Sequence, residues 1–226
     1  MAQISVRKAT DLDEGLVLTP ERYDPRVRGT SGGREHGTIL TIIADFRQLI
    51  VSPEQAHHSA DQYLVFDTGD AKDGYLTIGN RLPKGRQALG SSKKVIRCGD
   101  VIISRLRPYL RQIAWLDDAV ERTYDGQSVT SVVSTEFYVL KSKDAWSISF
   151  LVPFLLSRHV QNILVAAQEG GHHPRVPQQT IANLVIPRAL LSTRDELNVQ
   201  VESAVKMTRR SEQQLNDLIA AANNFF

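Results

Sequence analysis

Through residues 1–190 the apolar positions come in short runs rich in Val, Ile and Thr, separated by Gly, Pro and Asp. Such runs predict strands over residues 38–43, 62–66, 94–97, 100–104, 112–115, 129–133 and 137–140. Turn signals fall between them at Gly69-Asp70, Asp73-Gly74, Gly79-Asn80, Pro83 and Asp125-Gly126. The period then changes. Over residues 146–169, Phe150, Leu151, Phe154, Leu155, His159, Ile163 and Leu164 recur near every 3.6 positions, which predicts a helix packed on the sheet. Pro153 falls in its first turns, where proline is tolerated, and Gly170-Gly171 ends it.

The last element differs in kind. Thr193 is placed to cap a helix, with Glu196 three residues on to complete a capping box. Leu197, Val201, Ala204, Thr208, Ser211, Leu215, Leu218 and Ala222 then follow an unbroken 4-3-4-3 spacing, apolar at both ends and polar in the middle. No proline or glycine interrupts residues 194–226. The competing reading is an amphipathic helix folded onto its own domain. The narrow seam, flanked by charged and amide side chains, favours a coiled coil for dimerisation. The expected fold class is α+β: a β-rich domain over residues 1–190, then one long coiled-coil helix over residues 191–226.

Composition narrows the class. A chain of 226 residues, 42% apolar, can bury one large core or two small ones. No apolar run approaches the roughly 20 residues that span a bilayer, so no membrane partner is expected. Met1 to Asp13 lacks a continuous apolar stretch of the signal-peptide kind. The single cysteine, Cys98, permits no internal disulfide, which fits a reducing compartment and a cytoplasmic location.

Charge is where the pattern concentrates. Residues 81–112 hold nine of the 27 basic side chains (Arg81, Lys84, Arg86, Lys93, Lys94, Arg97, Arg105, Arg107 and Arg111) and one of the 25 acids, Asp100. The rest of the chain is net acidic, so a formal charge of +2 conceals a strongly basic segment that attracts polyanions. Val101, Ile102, Ile103, Leu106, Pro108, Tyr109 and Leu110 interleave with these cations, as in structured surface rather than a disordered tail. An ordinary charged strand edge is the competing reading.

Catalytic signals are weak. Cys98 beside Arg97 is the one candidate thiolate, against the commoner reading of a small buried residue. The pairs His57-His58 and His172-His173 each point to opposite faces of an extended chain. The sequence holds no HExxH, no CxxC, no G-x-x-x-x-G-K-[ST] loop and no G-x-S-x-G elbow, and it lacks the Asn/Asp-Pro-Pro-aromatic motif of methyltransferases. Neither enzyme activity nor a metal or cofactor is expected.

Four segments in order carry a family resemblance. Gly99-Asp100-Val101-Ile102-Ile103-Ser104-Arg105-Leu106-Arg107-Pro108 resembles the strand and loop of target recognition domains in the specificity subunits of type I restriction-modification systems. Ser134-Thr135-Glu136-Phe137-Tyr138-Val139-Leu140 resembles the strand that follows it there. Gly171-His172-His173-Pro174-Arg175-Val176 is similar to that family's G-x-x-x-P-R-V segment, and Leu184-Val185-Ile186-Pro187 to its lead into a long helix. Such subunits carry two recognition domains and two long helices; this chain has one of each. The resemblance implies a non-catalytic subunit that reads double-stranded DNA. It would position a DNA methyltransferase subunit and, in restriction complexes, a nuclease subunit.

On that reading Arg105, Arg107 and Arg111 present forked donors to phosphate or to guanine O6 and N7. Arg81, Lys84, Arg86, Lys93 and Lys94 are expected on backbone phosphates. Tyr109 stacks or packs on the DNA backbone or, the commoner reading for an aromatic beside a strand, belongs to the core. Arg175 lies against DNA, a partner subunit or helix-end carbonyls. Glu136 holds one of the arginines or accepts from cytosine N4. The lone seam helix predicts a homodimer. Two other classes stay open: a nucleic-acid adaptor without base readout, and a coiled-coil interaction module.

Overall fold

A computed structural model describes residues 37–58, 62–79, 81–83, 89–124, 126–223 and 225. In chain order its elements begin with β1 (Gly37–Ile39), α1 (Leu40–Ile43), β2 (Ala44–Phe46), β3 (Ile50–Val51), α2 (Pro53–His58) and β4 (Gln62–Phe66). Next come β5 (Ala71–Lys72), β6 (Tyr75–Leu76), β7 (Lys93–Val95), β8 (Val101–Ser104), β9 (Ile113–Trp115) and β10 (Thr123–Tyr124). The longest strands, β11 (Gln127–Ser134) and β12 (Phe137–Ser142), precede α3 (Leu151–Leu156), α4 (Arg158–Ala166) and α5 (Gln178–Ala182). β13 (Val185–Pro187), α6 (Arg188–Ser192) and α7 (Arg194–Asn223) complete the chain.

Two sheets and a helical layer enclose the cores. One sheet runs β2-β12-β8-β9, all antiparallel; the other runs β10-β11-β7-β3, with β4 parallel to β11. The period of two explains the stacking. Ile102, Ala114, Phe137 and Val139 point from the first sheet to a core shared with Leu64, Phe66, Val129 and Val133 of the second. Val101, Ile103, Ile113, Tyr138 and Leu140 point the other way, onto Leu151, Leu155, Val160, Leu164 and Ile181 of the helices. Because both faces of β8 are covered, its sequence is a continuous apolar run rather than an alternating one. A small third cluster, with Ala56 of α2 over Tyr63, Val95 and Val132, closes the outer face of the second sheet.

The α+β class and the long terminal helix match expectation. Three local expectations do not. Residues 38–43 form a strand only to Ile39, because Leu40 then turns into α1 and donates its N–H to the Leu184 carbonyl at 2.8 Å. The helix expected over 146–169 starts at Leu151 and is broken at Ser157, which is extended. The Ser157 hydroxyl accepts the Val160 N–H at 3.3 Å, so this residue caps a new helix instead of continuing the old one. Phe150, Phe154 and Leu155 are buried as the periodicity requires. Thr193 starts α7, but its hydroxyl donates back to the Ala189 and Leu190 carbonyls rather than capping forward.

α7 lies on the domain through much of its length. Asn198 and Val205 are buried, and Glu202, Arg209, Glu212 and Asn216 are half-buried along the same line. That line repeats every seven residues, one position on from the predicted seam, or about 100° round the helix. The buried Asn198 amide accepts the Phe150 N–H at 2.7 Å and the Ser149 hydroxyl at 2.9 Å, and donates to the Ser147 carbonyl at 2.9 Å. It thus satisfies the chain leading into α3, while Val205 joins the helical-side core.

Candidate nucleic-acid interface

The basic segment is built outward from Gly99-Asp100. Gly99 sits at φ +85, in the left-handed region that a side chain disfavours. Asp100 is buried and accepts from Arg47 through both carboxylate oxygens, at 2.9 and 2.8 Å, and from the Arg97 N–H at 2.9 Å. Burial pushes its carboxyl up, and the Arg47 guanidinium pulls against that. The turn is therefore tied to the β2–β3 connection, which fixes where β8 begins and where Arg105 emerges at its far end.

Beyond β8 two arginines meet one acid. Arg105 donates from Nε to Glu136 at 2.7 Å, and Arg175 donates from Nε and Nη2 at 3.1 and 2.8 Å. The backbone holds them there: Arg105 N–H donates to the Glu136 carbonyl at 2.9 Å, and Val176 N–H to the Arg105 carbonyl at 2.8 Å. The Arg175 guanidinium, together with Arg105 and against partial burial, holds the Glu136 carboxyl down at about 2. Lys94 reaches the same corner, donating to the Phe137 carbonyl at 2.6 Å with its ammonium 5.4 Å from the centre of the Tyr138 ring. Burial lowers its pKa first, and the Arg105 charge lowers it further. Among the two readings of Glu136, the structure places it on arginines.

Arg107, Tyr109 and Arg111 share the next turn. Pro108–Leu110 form a single 3-10 turn, flanked by Arg107 at φ 45 and Arg111 at φ 54. Two non-glycine residues in the left-handed region cost on the order of 1–2 kcal/mol each. The turn closes by Leu110 N–H to the Arg107 carbonyl and Arg111 N–H to the Pro108 carbonyl, and it packs against α4. Arg111 is anchored to Asp73 at 2.5 Å and to the Leu156 carbonyl at 3.2 Å. Arg107 is exposed, with no ion-pair partner among the described residues. Tyr109 is 64% exposed, so it is not a core aromatic.

Two of the remaining predicted contacts have acid partners of their own. Arg81 is turned inward, ion-paired with Asp70, donating to the Val65 carbonyl at 3.1 Å and stacked over Phe66. Lys93 lies 3.9 Å from Asp67. Lys84 and Arg86 fall outside the described residues, as do Met1 to Asp13 and the side chains of His57 and His58. Cys98 is exposed rather than buried; residual desolvation and then Glu121, Asp118, Asp117 and Glu202 push its thiol up, the opposite of an activated thiolate.

The helix seam divides. Leu197 and Val201 are half-buried against the domain core, whereas Ala204, Thr208, Ser211, Leu215, Leu218 and Ala222 face solvent. Ile219, which the heptad reading passed over, is exposed beside them.

Sequence spacing had no means to find the lock between helix and domain. Arg209 pairs with the buried Asp117 at 2.5 and 2.8 Å, donates to the Tyr75 hydroxyl at 2.9 Å and lies 4.8 Å from the centre of the Tyr75 ring. The Tyr75 hydroxyl in turn donates to Glu212 at 2.6 Å, and burial raises its pKa. Among the described residues, no helix is long and apolar enough to cross a membrane.

No family model and no curated protein matches the chain. Solved structures similar to the chain include two. One is from work on complex assembly and conformational transition of the type I R-M system: TM-score 0.49 and 23% identity, covering 82% of this chain and 47% of that one. The other is the HsdS subunit from Thermoanaerobacter tengcongensis: TM-score 0.48 and 22% identity, covering 80% of this chain and 46% of that one. The chain thus spans about half the length of these structures.

Proposed function

We propose that this chain is a non-catalytic DNA-specificity subunit, which reads its target through the loop after β8 and delivers a DNA methyltransferase subunit to it. One observation carries the reading: Glu136 gathers Arg105 and Arg175 at the end of β8 and leaves Arg107 free on a rigid turn beside them. A guanidinium pair held by one carboxylate keeps a net positive charge and spare N–H donors, which suits phosphate. The projecting Arg107 has the donor geometry for a guanine edge. The four family-like motifs, in their order along the chain, support the same assignment.

On this reading the solvent-facing stripe of α7, from Ala204 to Ala222, pairs two copies, so that the target is bipartite. The methyltransferase subunit, and in a restricting system a nuclease subunit, assemble on that dimer. The test is selection from random-sequence duplex pools, with and without a methyltransferase subunit. A fixed two-part motif is the expected result. Sequence-independent retention would leave a general nucleic-acid adaptor, and no retention would leave a coiled-coil interaction module.

A further inference from the structure

The turn after β8 carries an apolar apex that phosphate and base-edge contacts do not use. Tyr109 is 64% exposed and Leu110 39% exposed, side by side. A single exposed aromatic is ordinary, but this one is held out by construction. Pro108 beneath it is buried, both flanking arginines are left-handed, and Arg111 is tied down to Asp73 and to the Leu156 carbonyl. The apex is therefore a rigid projection rather than a loose loop. Along the chain it is flanked by two guanidiniums: Arg107, which is exposed with no ion-pair partner among the described residues, and Arg111, which is paired with Asp73.

We propose that Tyr109 and Leu110 form a preformed wedge that enters a base step of bound duplex DNA, so that part of the target is read as deformability rather than as base edges. This rests on the DNA-reading function proposed above. Inserted side chains of this kind work beside cations that hold neighbouring phosphates. Arg107 flanks the ring without an ion-pair partner among the described residues, and Arg111 on the other side, although paired with Asp73, still keeps nearly half of its side chain exposed. Steps that kink easily then bind better without any hydrogen bond to their bases. A protein surface seated on the same apex would have to bring an acid to the unpaired Arg107, whereas duplex DNA offers phosphate along its whole length, which favours the polyanion.

The test uses the full chain and mixed-sequence duplexes of about 30 bp carrying a dye at each end. Wild type should shorten the end-to-end distance on binding. Tyr109→Ala should abolish the shortening and weaken binding roughly fivefold to a hundredfold, the range expected for a lost base–aromatic stack. Its salt dependence and melting temperature should stay as in wild type, because Tyr109 supports neither phosphate contacts nor the core. Tyr109→Phe should behave as wild type. A duplex that binds but stays straight, or that Tyr109→Ala still bends, overturns the wedge and leaves the DNA reading standing. Loss of a methyltransferase subunit from Tyr109→Ala with DNA binding intact would reassign the apex to that partner. Failure of wild type to retain any duplex would end both readings together.

Discussion

Glu136 closes on Arg175 through both carboxylate oxygens, at 2.8 and 3.1 Å, across 39 residues of chain. Arg105 shares one of those oxygens at 2.7 Å. One acid thereby sets the position of two guanidiniums that would otherwise repel each other, and ties the loop after α4 to the end of β8. Orientation is the useful product: exposed ion pairs add little stability, but a forked donor read by DNA must point in one direction.

Glu136→Gln should release the Arg175 loop. The carboxyl is held near 2 against an ordinary value of 4.5, a depressed pKa, so its contribution is full above about 4.5 and is lost as pH falls towards 2. The variant should melt roughly 2–4 °C lower at neutral pH, the scale of one ordinary net hydrogen bond, about 1 kcal/mol, in a chain of this size. At pH 3 the difference from wild type should have narrowed. A constant gap from pH 7 to pH 3 would show that the carboxylate charge is not what holds the loop.

Arg107 and Lys94 should fail differently in DNA binding. The Arg107 guanidinium is free, so where it reads a base Arg107→Ala should cost roughly 1–3 kcal/mol with relaxed discrimination at one position. Where it meets phosphate instead, the substitution should weaken all sequences alike and reduce the salt slope by about one. The Lys94 ammonium is already committed to the Phe137 carbonyl and the Tyr138 ring. Lys94→Ala should therefore lower stability and leave the salt slope unchanged. Titrations of affinity against salt for both variants settle it, and a slope lowered by Lys94→Ala would put that ammonium on phosphate.

These contrasts also show what the residues could and could not announce. The strands were legible because period two and Val/Ile/Thr runs are local properties: Gln62–Phe66 and Val101–Ser104 lie where the pattern puts them. The cluster's members were legible as types, since a GD turn, a lone Glu136 and a Pro-Arg pair stand out in sequence. Their mates were not. Arg209 meets Asp117 across 92 residues and Tyr75 meets Glu212 across 137, and no spacing rule reaches that far. Nor did heptad counting show which helix face docks. The docked line is itself a 4-3 repeat, but its members Asn198, Glu202, Arg209 and Glu212 are polar, so hydrophobicity selected the neighbouring stripe instead.

That polar face should make α7 strongly coupled to the domain. Asp117 is 2% exposed and depends on Arg209 for its partner. Arg209→Ala leaves a buried carboxylate unpaired and should destabilise by about 3–5 kcal/mol in urea unfolding. Asp117→Asn with Arg209→Met should recover part of that loss, and additive single effects would contradict direct coupling.

A chain shortened to end at Leu191 separates the two units expected over residues 1–190 and 191–226. It keeps every strand but loses the Asn198 contacts to Ser147, Ser149 and Phe150, the Val205 side chain and the Arg209 partner of Asp117. The expected outcome is a domain with its strand content intact by circular dichroism and a cooperative melt at lower temperature. A spectrum of disordered chain would make α7 part of one indivisible core.

The stripe beyond that contact bears on assembly. Leu215, Leu218 and Ile219 are all more than half exposed, and leaving large apolar side chains in water forgoes roughly 1.5–3 kcal/mol for each one fully buried. Two-fold pairing of two copies is the simplest cover, and closed two-fold dimers are the commonest homo-oligomers. Because Leu197 and Val201 are half-spent on their own domain, the free seam runs from Ala204 to Ala222. An antiparallel pair over it sets Leu215 opposite Ser211, Leu218 opposite Thr208 and Ala222 opposite Ala204 of the other copy. The free seam is about 27 Å long at 1.5 Å per residue. On the proposed DNA-reading function, a domain at each end of such a pair would space the two loops for half-sites about one or more DNA turns apart. Light scattering at tens of micromolar should find a dimer, and Leu215→Asp with Leu218→Asp should return it to monomer without lowering the melting temperature of the domain. A wild-type monomer at that concentration, unchanged by the double substitution, would rule out pairing through this helix.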